Sequence, residues 1–297
     1  MDEPNFIPPL QQVIEPFLDE KGIRLFVLRT DLNHPEISGN KLYKLKYNLI
    51  AAREQKKDTI LTFGGAFSNH IAATAAAGKE YGFKTIGIIR GEESSMNNPT
   101  LSLAKTNGMH LHFVSRGLYR DKAALLAYTE ATFGKDVYIV PEGGSNKEGV
   151  KGCMEITSSI SIPFDSICCA CGTGATLSGI ILSLKEGQKA LGFQVLKAEN
   201  YIQQEVKNWL ERFAQQDKNN WQINEDFHFG GYAKTSPELS AFIKTFQKKH
   251  QIPLDHVYTA KMMYGIMELI KNDHFSKNST IIAVHTGGLQ GNKGFDD

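Results

Sequence analysis

The sequence is poor in the features that would by themselves dictate a function. Neither sign of charge dominates, since 33 Lys+Arg face 32 Asp+Glu and neither half gathers the basic residues. A protein that tracks nucleic-acid phosphates would lack its electrostatic footing here. No apolar run reaches the roughly 20 residues that span a bilayer. The acidic, proline-broken start Met-Asp-Glu-Pro has neither the basic nor the apolar part of a secretory signal, so a soluble cytoplasmic protein without membrane or nucleic-acid partners is expected. Cysteine is scarce. The four present, Cys153, Cys168, Cys169 and Cys171, lie close together, three of them in one apolar run. Neighbours on a strand face opposite ways, and no second CxxC completes a zinc site, so reduced core thiols and no metal are expected. With 41% hydrophobic and 22% charged residues the chain should fold rather than stay disordered.

What is present is alternation. Short β-rich apolar runs at 59–63, 85–89, 110–114, 137–140, 166–170, 194–197, 256–258 and 281–285 are separated by helical periodicity, as at 68–81 and 176–184. This predicts an α/β fold of βαβ units with a mostly parallel sheet and ligands beyond the carboxyl ends of the strands. At about 150 residues per domain, the length fits two domains or one large unit. The polar stretch 215–220 reads as a surface helix end and loop. Gly143-Gly144-Ser145-Asn146 is the best local place for the chain to cross between lobes.

Several segments carry groups suited to chemistry. Phe63-Gly64-Gly65-Ala66-Phe67-Ser68-Asn69-His70 ends a strand and opens a helix: Ser68 or Asn69 could serve only as a cap, or Asn69 and His70 could point into a ligand crevice. Cys171-Gly172-Thr173-Gly174-Ala175-Thr176 also joins a strand to a helix, where unpaired N–H groups and two hydroxyls suit a phosphate. Its next glycine, Gly179, falls too late for a dinucleotide fingerprint, and the lysine of a P-loop is missing, so a monophosphate fits better. Asn40-Lys41-Leu42-Tyr43-Lys44-Leu45-Lys46-Tyr47 opens a lysine-rich helix. Such lysines are usually solvated, but one buried amine would be a nucleophile toward carbonyls, and spacing does not choose among Lys41, Lys44 and Lys46. The glycine-rich turns His228 to Lys234 and His285 to Leu289 are each ordinary turns when taken alone.

Taken in order, Asn40-Lys41-Leu42-Tyr43-Lys44-Leu45, Gly64-Gly65-Ala66-Phe67-Ser68-Asn69-His70, Thr173-Gly174-Ala175-Thr176, Val257-Tyr258-Thr259 and His285-Thr286-Gly287-Gly288 form a specific set. With them the sequence resembles the 1-aminocyclopropane-1-carboxylate (ACC) deaminase and D-cysteine desulfhydrase family from about residue 20 to the end. These are pyridoxal-phosphate enzymes related to the tryptophan synthase β subunit. The resemblance implies two open twisted-sheet lobes with the cofactor between them: a large lobe of residues 1–48 and 148–297, and a small mobile lobe of residues 49–147. It implies that Lys44 forms the Schiff base with pyridoxal 5'-phosphate and that Asn69 meets the ring hydroxyl. Gly172, Thr173, Gly174, Ala175 and Thr176 would hold the phosphate. Ser68 would contact the substrate carboxylate or move protons, Tyr232 and Tyr258 would line the ring and substrate faces, and Thr259 and Thr286 would lie near the pyridine nitrogen. A homodimer acting on a small amino acid is also implied.

The departures from the family are informative. Its deaminase branch carries a glutamate and a leucine where this chain has Thr259 and Thr286, and Gly65-Ala66-Phe67-Ser68 replaces the common Gly-Ile-Gln-Ser form. A carboxylate beside the pyridine nitrogen keeps it protonated, which a hydroxyl does only weakly. Opening an unactivated cyclopropane demands that protonated ring more than expulsion of a thiolate does. β-Elimination from D-cysteine or a related amino acid is therefore the expected reaction, with ACC deamination and a non-catalytic cofactor or amino-acid sensor as the alternatives. A nicotinamide oxidoreductase would need the fingerprint that the Gly172 loop lacks.

Overall fold

The computed structural model describes residues 7–92, 98–214 and 217–295. Its strands, in chain order, are β1 (Leu10–Val13), β2 (Arg24–Leu28), β3 (Thr59–Gly65), β4 (Lys84–Arg90), β5 (His110–Val114), β6 (Val137–Val140), β7 (Ser166–Cys171), β8 (Lys189–Gln194), β9 (Trp221–Asn224) and β10 (Thr280–Val284). They form a six-stranded sheet in the order β1-β2-β10-β7-β8-β9 and a four-stranded sheet in the order β5-β4-β3-β6. Every pairing is parallel except β1 with β2. The fold is thus α/β with two sheets. The four-stranded sheet lies within residues 59–140, and the other takes its strands from both sides of that segment in sequence.

β7 and β10 are apolar along almost their whole length because the larger sheet is covered on both faces. Leu25, Cys168, Phe193 and Ile281 face one core with Ile243 and Met263, while Ile167, Cys169, Cys171 and Ile282 face another with Leu177 and Trp209. Cys168 and Cys169 therefore point to opposite sides, as strand geometry requires. All four cysteines are buried and free. Apolar residues of the helix Asn40–Glu54, namely Leu45, Leu49 and Ala52, pack on Ile60, Ala73 and Tyr138 of the four-stranded layer. This helix continues unbroken across position 48.

Several strand ends differ from the sequence expectation. Residues 194–197, expected as a strand, meet β8 only at Gln194, where it ends: that side chain donates to the carbonyls of Leu196 and Ala198 and accepts from Ile202 N–H, and residues 195–197 form no strand. Residues 256–258 form a turn rather than a strand. The Asp255 carboxylate accepts the N–H groups of Val257, Tyr258 and Thr259, and this capping outweighs the β preference of Val257 and Tyr258. The short strands β1, β2 and β9 had not been expected. Within the polar stretch 215–220, residues 215 and 216 lie outside the described residues, and Asn220 leads directly into β9.

Candidate active site

In each sheet the chain changes direction of travel at one place: between β3 and β6 in the smaller sheet, and between β10 and β7 in the larger. Loops leaving the carboxyl ends of strands at such switch points are where open α/β sheets bind ligands. The four loops after β3, β6, β7 and β10 meet there. They surround a cavity in which both polar and apolar groups face the space, as cofactor sites do. Asn40, Lys41, Lys44, Asn69, Gly143, Gly172, Thr173, Gly174, Thr176, Tyr258 and Thr286 line it together with Ala170, Cys171 and Leu177.

Gly39 fixes where the lysine-bearing helix begins. It has φ +69°, and a Cβ there would fall 2.0 Å from the Thr286 carbonyl oxygen. The backbone after β10 can therefore lie directly on the start of the helix Asn40–Glu54. One polar chain follows from that contact: Asn40 Nδ2 donates to Thr176 Oγ1 at 2.8 Å, and Lys41 Nζ donates to Asn40 Oδ1 at 2.9 Å. One turn on, Lys44 is only 2% exposed and donates to the Gly143 carbonyl oxygen at 2.9 Å. Lys46 points elsewhere, to Glu155 at 2.8 Å. Two of the three lysines that spacing left open thus share the cavity.

Their electrostatics differ. Burial lowers the Lys44 amine from its ordinary value, partly opposed by the thiols of Cys153, Cys169 and Cys171. Burial also lowers Lys41, and the charge of Lys44 lowers it further, to about 7. A second charge placed beside the first is disfavoured, and that repulsion acts on Lys41 in addition to its burial. An amine next to another cation and withdrawn from water is the usual form of a nucleophilic lysine.

The loop at 172–176 forms as its sequence requires. Gly174 is the left-handed N-cap, at φ 73°, of the helix Ala175–Ser183, so the turn can close without a side-chain clash and the first N–H groups of the helix stay unpaired within it. Ser145 Oγ donates to Thr173 Oγ1 at 2.8 Å, tying the loop after β6 to the loop after β7. Asn69 lines the cavity, and its side-chain oxygen accepts from Gln290 Nε2.

Not every residue singled out from sequence reaches the cavity wall. Ser68 is the N-cap of the helix Asn69–Tyr81, accepting from Ile71 N–H at 3.3 Å, and it sits one residue short of the wall. Ala175 is buried at the start of its helix. Tyr232 is 48% exposed and meets the Tyr258 ring edge-on at 6.0 Å, so it stands at the mouth. Thr259 is fully buried. Its hydroxyl donates to Asp255 Oδ1 at 2.7 Å and accepts from Asp255 N–H at 2.8 Å, which turns it away from the cavity. Thr286 is the threonine that does line it. Sequence reading missed Asp255, the Gly143 carbonyl and the linking role of Asn40. Only Asp255 had a signal, an acidic residue just ahead of a helix.

A family model for pyridoxal-phosphate dependent enzymes matches residues 9–287. The chain belongs to that family. It is 31% identical, over 91% of its own length and 73% of the other's, to the mitochondrial bifunctional D-cysteine desulfhydrase/1-aminocyclopropane-1-carboxylate deaminase of Arabidopsis thaliana. It is 28% identical to the D-cysteine desulfhydrase of Klebsiella pneumoniae strain 342, over 91% and 88% of the two chains. The crystal structure of an ACC deaminase homologue superposes with a TM-score of 0.84 at 28% identity, covering 98% of this chain and 92% of that one. The cofactor of this family is pyridoxal phosphate, and the cavity suits it. An open helix N-terminus and an amine lowered to about 7 line one cavity.

Proposed function

We propose that this protein is a pyridoxal-phosphate-dependent lyase that eliminates the β-substituent of D-cysteine or a related amino acid, releasing pyruvate, ammonia and sulfide. The observation that carries the reading is that, among the described residues, no aspartate or glutamate lines the cavity. The buried carboxylate of Asp255, close by in the fold, is occupied by three N–H groups and the Thr259 hydroxyl. The pyridine nitrogen would meet the Thr286 hydroxyl and would gain little protonation from it. Expelling a thiolate tolerates that weaker electron sink better than opening a cyclopropane does.

Bound pyridoxal phosphate supplies an aldehyde for an amino group and a conjugated ring that accepts the electron pair left at Cα. Toward it the 172–176 loop offers N–H groups for the phosphate, and Asn69 offers an amide for the ring hydroxyl. The family resemblance pointed to Lys44 for the aldehyde. The electrostatics support Lys41 as that amine, since burial and then the charge of Lys44, which is held by the Gly143 carbonyl, lower it to about 7. Lys41 Nζ, as an amine lining the cavity, would be the base that takes the substrate's Cα proton. Ser68 and the start of the Asn69–Tyr81 helix would receive the substrate carboxylate, and Tyr258 and Tyr232 would wall the remaining side.

The reading includes a small lobe, residues 49–147, that closes over the cavity and excludes water. It also includes a cytoplasmic homodimer. The free buried thiols fit a reducing compartment.

The test is a side-by-side assay of α-keto acid release. Pyruvate should form from D-cysteine or a β-substituted analogue, with little or no α-ketobutyrate from ACC. Efficient α-ketobutyrate release would instead make the protein an ACC deaminase. Retained cofactor with no turnover of any β-substituted amino acid would make it a sensor.

A further inference from the structure

The helix Thr259–Lys271 carries Lys261, a lysine that is 1% exposed and lies outside the cavity. Its Nζ makes no ion pair among the described residues. It donates instead to two backbone carbonyls, those of His228 at 2.9 Å and Gly231 at 2.7 Å. Burying an ammonium without a counterion costs free energy that charge-assisted bonds to carbonyls only partly return. A methionine would pack the same space without that cost, so the charge calls for an explanation in what it holds.

It holds an unusual turn. Phe229, Gly230, Gly231 and Ala233 all have positive φ, at 52°, 88°, 118° and 55°. Two of them carry side chains that disfavour this conformation. The turn's own backbone bonds, Gly231 N–H to His228 O and Lys234 N–H to Gly231 O, lie within it. Lys261 therefore supplies the polar tie between this strained turn and the helix. The next residue after the gripped carbonyl is Tyr232, whose ring meets that of Tyr258, the N-cap residue of the same helix and part of the cavity wall. One helix thus carries Tyr258 at its start and, one turn later, the amine that fixes Tyr232 beside it.

We propose that Lys261 is a positioning residue whose buried ammonium clasps the carbonyls of His228 and Gly231 and so holds Tyr232 at the substrate side of the cavity. The inference rests on the proposed function for its link to substrate, whereas the clasp itself can be tested without turnover.

The experiment compares wild type, Lys261→Met, Tyr232→Ala and the double variant, all as holoenzyme. With the clasp released, trypsin should cut after the exposed Lys234 at least several-fold faster in Lys261→Met. The visible absorption and affinity of the cofactor should be unchanged, because the phosphate loop and Lys41 are untouched. KM for D-cysteine should rise about tenfold with a smaller change in kcat, and the double variant should be no worse than Tyr232→Ala alone, as expected when one residue acts through the other. If Lys261→Met does not fold, Lys261→Leu, which likewise has neither donor nor charge, replaces it throughout. An unchanged cleavage rate at Lys234 overturns the clasp. Faster cleavage with unaltered KM, or additive effects in the double variant, overturns the positioning of Tyr232. Wild type that turns over no amino acid is a failure of the proposed function, and the cleavage rate then decides the clasp by itself.

Discussion

Lys41 and Lys44 sit one helical turn apart on the same wall; burial lowers both, and the charge of Lys44 lowers Lys41 further. Lys41 is protonated below about pH 7 and neutral above it. Uptake of pyridoxal phosphate by the cofactor-free protein, followed by absorbance, should therefore speed up between pH 6 and 8 with a midpoint near 7. Lys44→Met removes the cation that disfavours charge on Lys41, so the midpoint should move to higher pH while uptake persists. Loss of uptake in that variant would give the aldehyde to Lys44, and a midpoint that stays in place would show that Lys44 does not set the charge on Lys41. The cysteines beneath these lysines are a contrast at the same scale. Burial raises the Cys153 thiol to about 11, and all four thiols are inaccessible. Native protein should resist a thiol reagent at pH 8, and denatured protein should react at four sites; rapid labelling of native protein would contradict the burial described here.

Among the elements, the strand-to-loop-to-helix units decide what the site can bind. In the 172–176 loop, Gly174 stands where the backbone is left-handed and the following N–H groups are open. Gly174→Asp should weaken cofactor binding several-fold or more by facing the phosphate with a carboxylate. Gly174→Asn, which also tolerates the left-handed region and has nearly the same shape, separates the charge from the strain. Equal dissociation constants for the two variants would show that the phosphate is elsewhere. These glycine-rich units were legible in sequence because a β run, a turn and an N-cap fall in immediate succession. The helix Asn69–Tyr81 begins at its expected cap, and the phosphate helix begins after its expected turn. What stayed hidden depends on contacts distant in sequence. β9 follows polar residues and gains its place only by pairing with β8. Residues 256–258 look like a strand until Asp255 gathers their N–H groups. The choice among three lysines needed the third dimension, because helix spacing alone does not say that Lys46 turns outward to Glu155 while Lys41 and Lys44 turn in.

At the scale of the whole molecule, two sheets bring their switch points face to face, and contacts across that meeting assemble the site. Ser145 to Thr173, Asn40 to Thr176 and Lys44 to Gly143 each join segments far apart in sequence. A homodimer predicts an elution volume near twice the 33.0 kDa chain mass at micromolar concentration, and a monomer at that concentration would contradict it. The account as a whole depends on the cavity between the sheets being where the cofactor is covalently held. Borohydride reduction of the holoenzyme followed by peptide mapping tests this most directly. The pyridoxyl label should lie on Lys41. A label on Lys44 would leave the cavity as the site and reverse the roles of the two amines, whereas a label on Lys46, on any lysine outside the cavity, or on none would contradict the account.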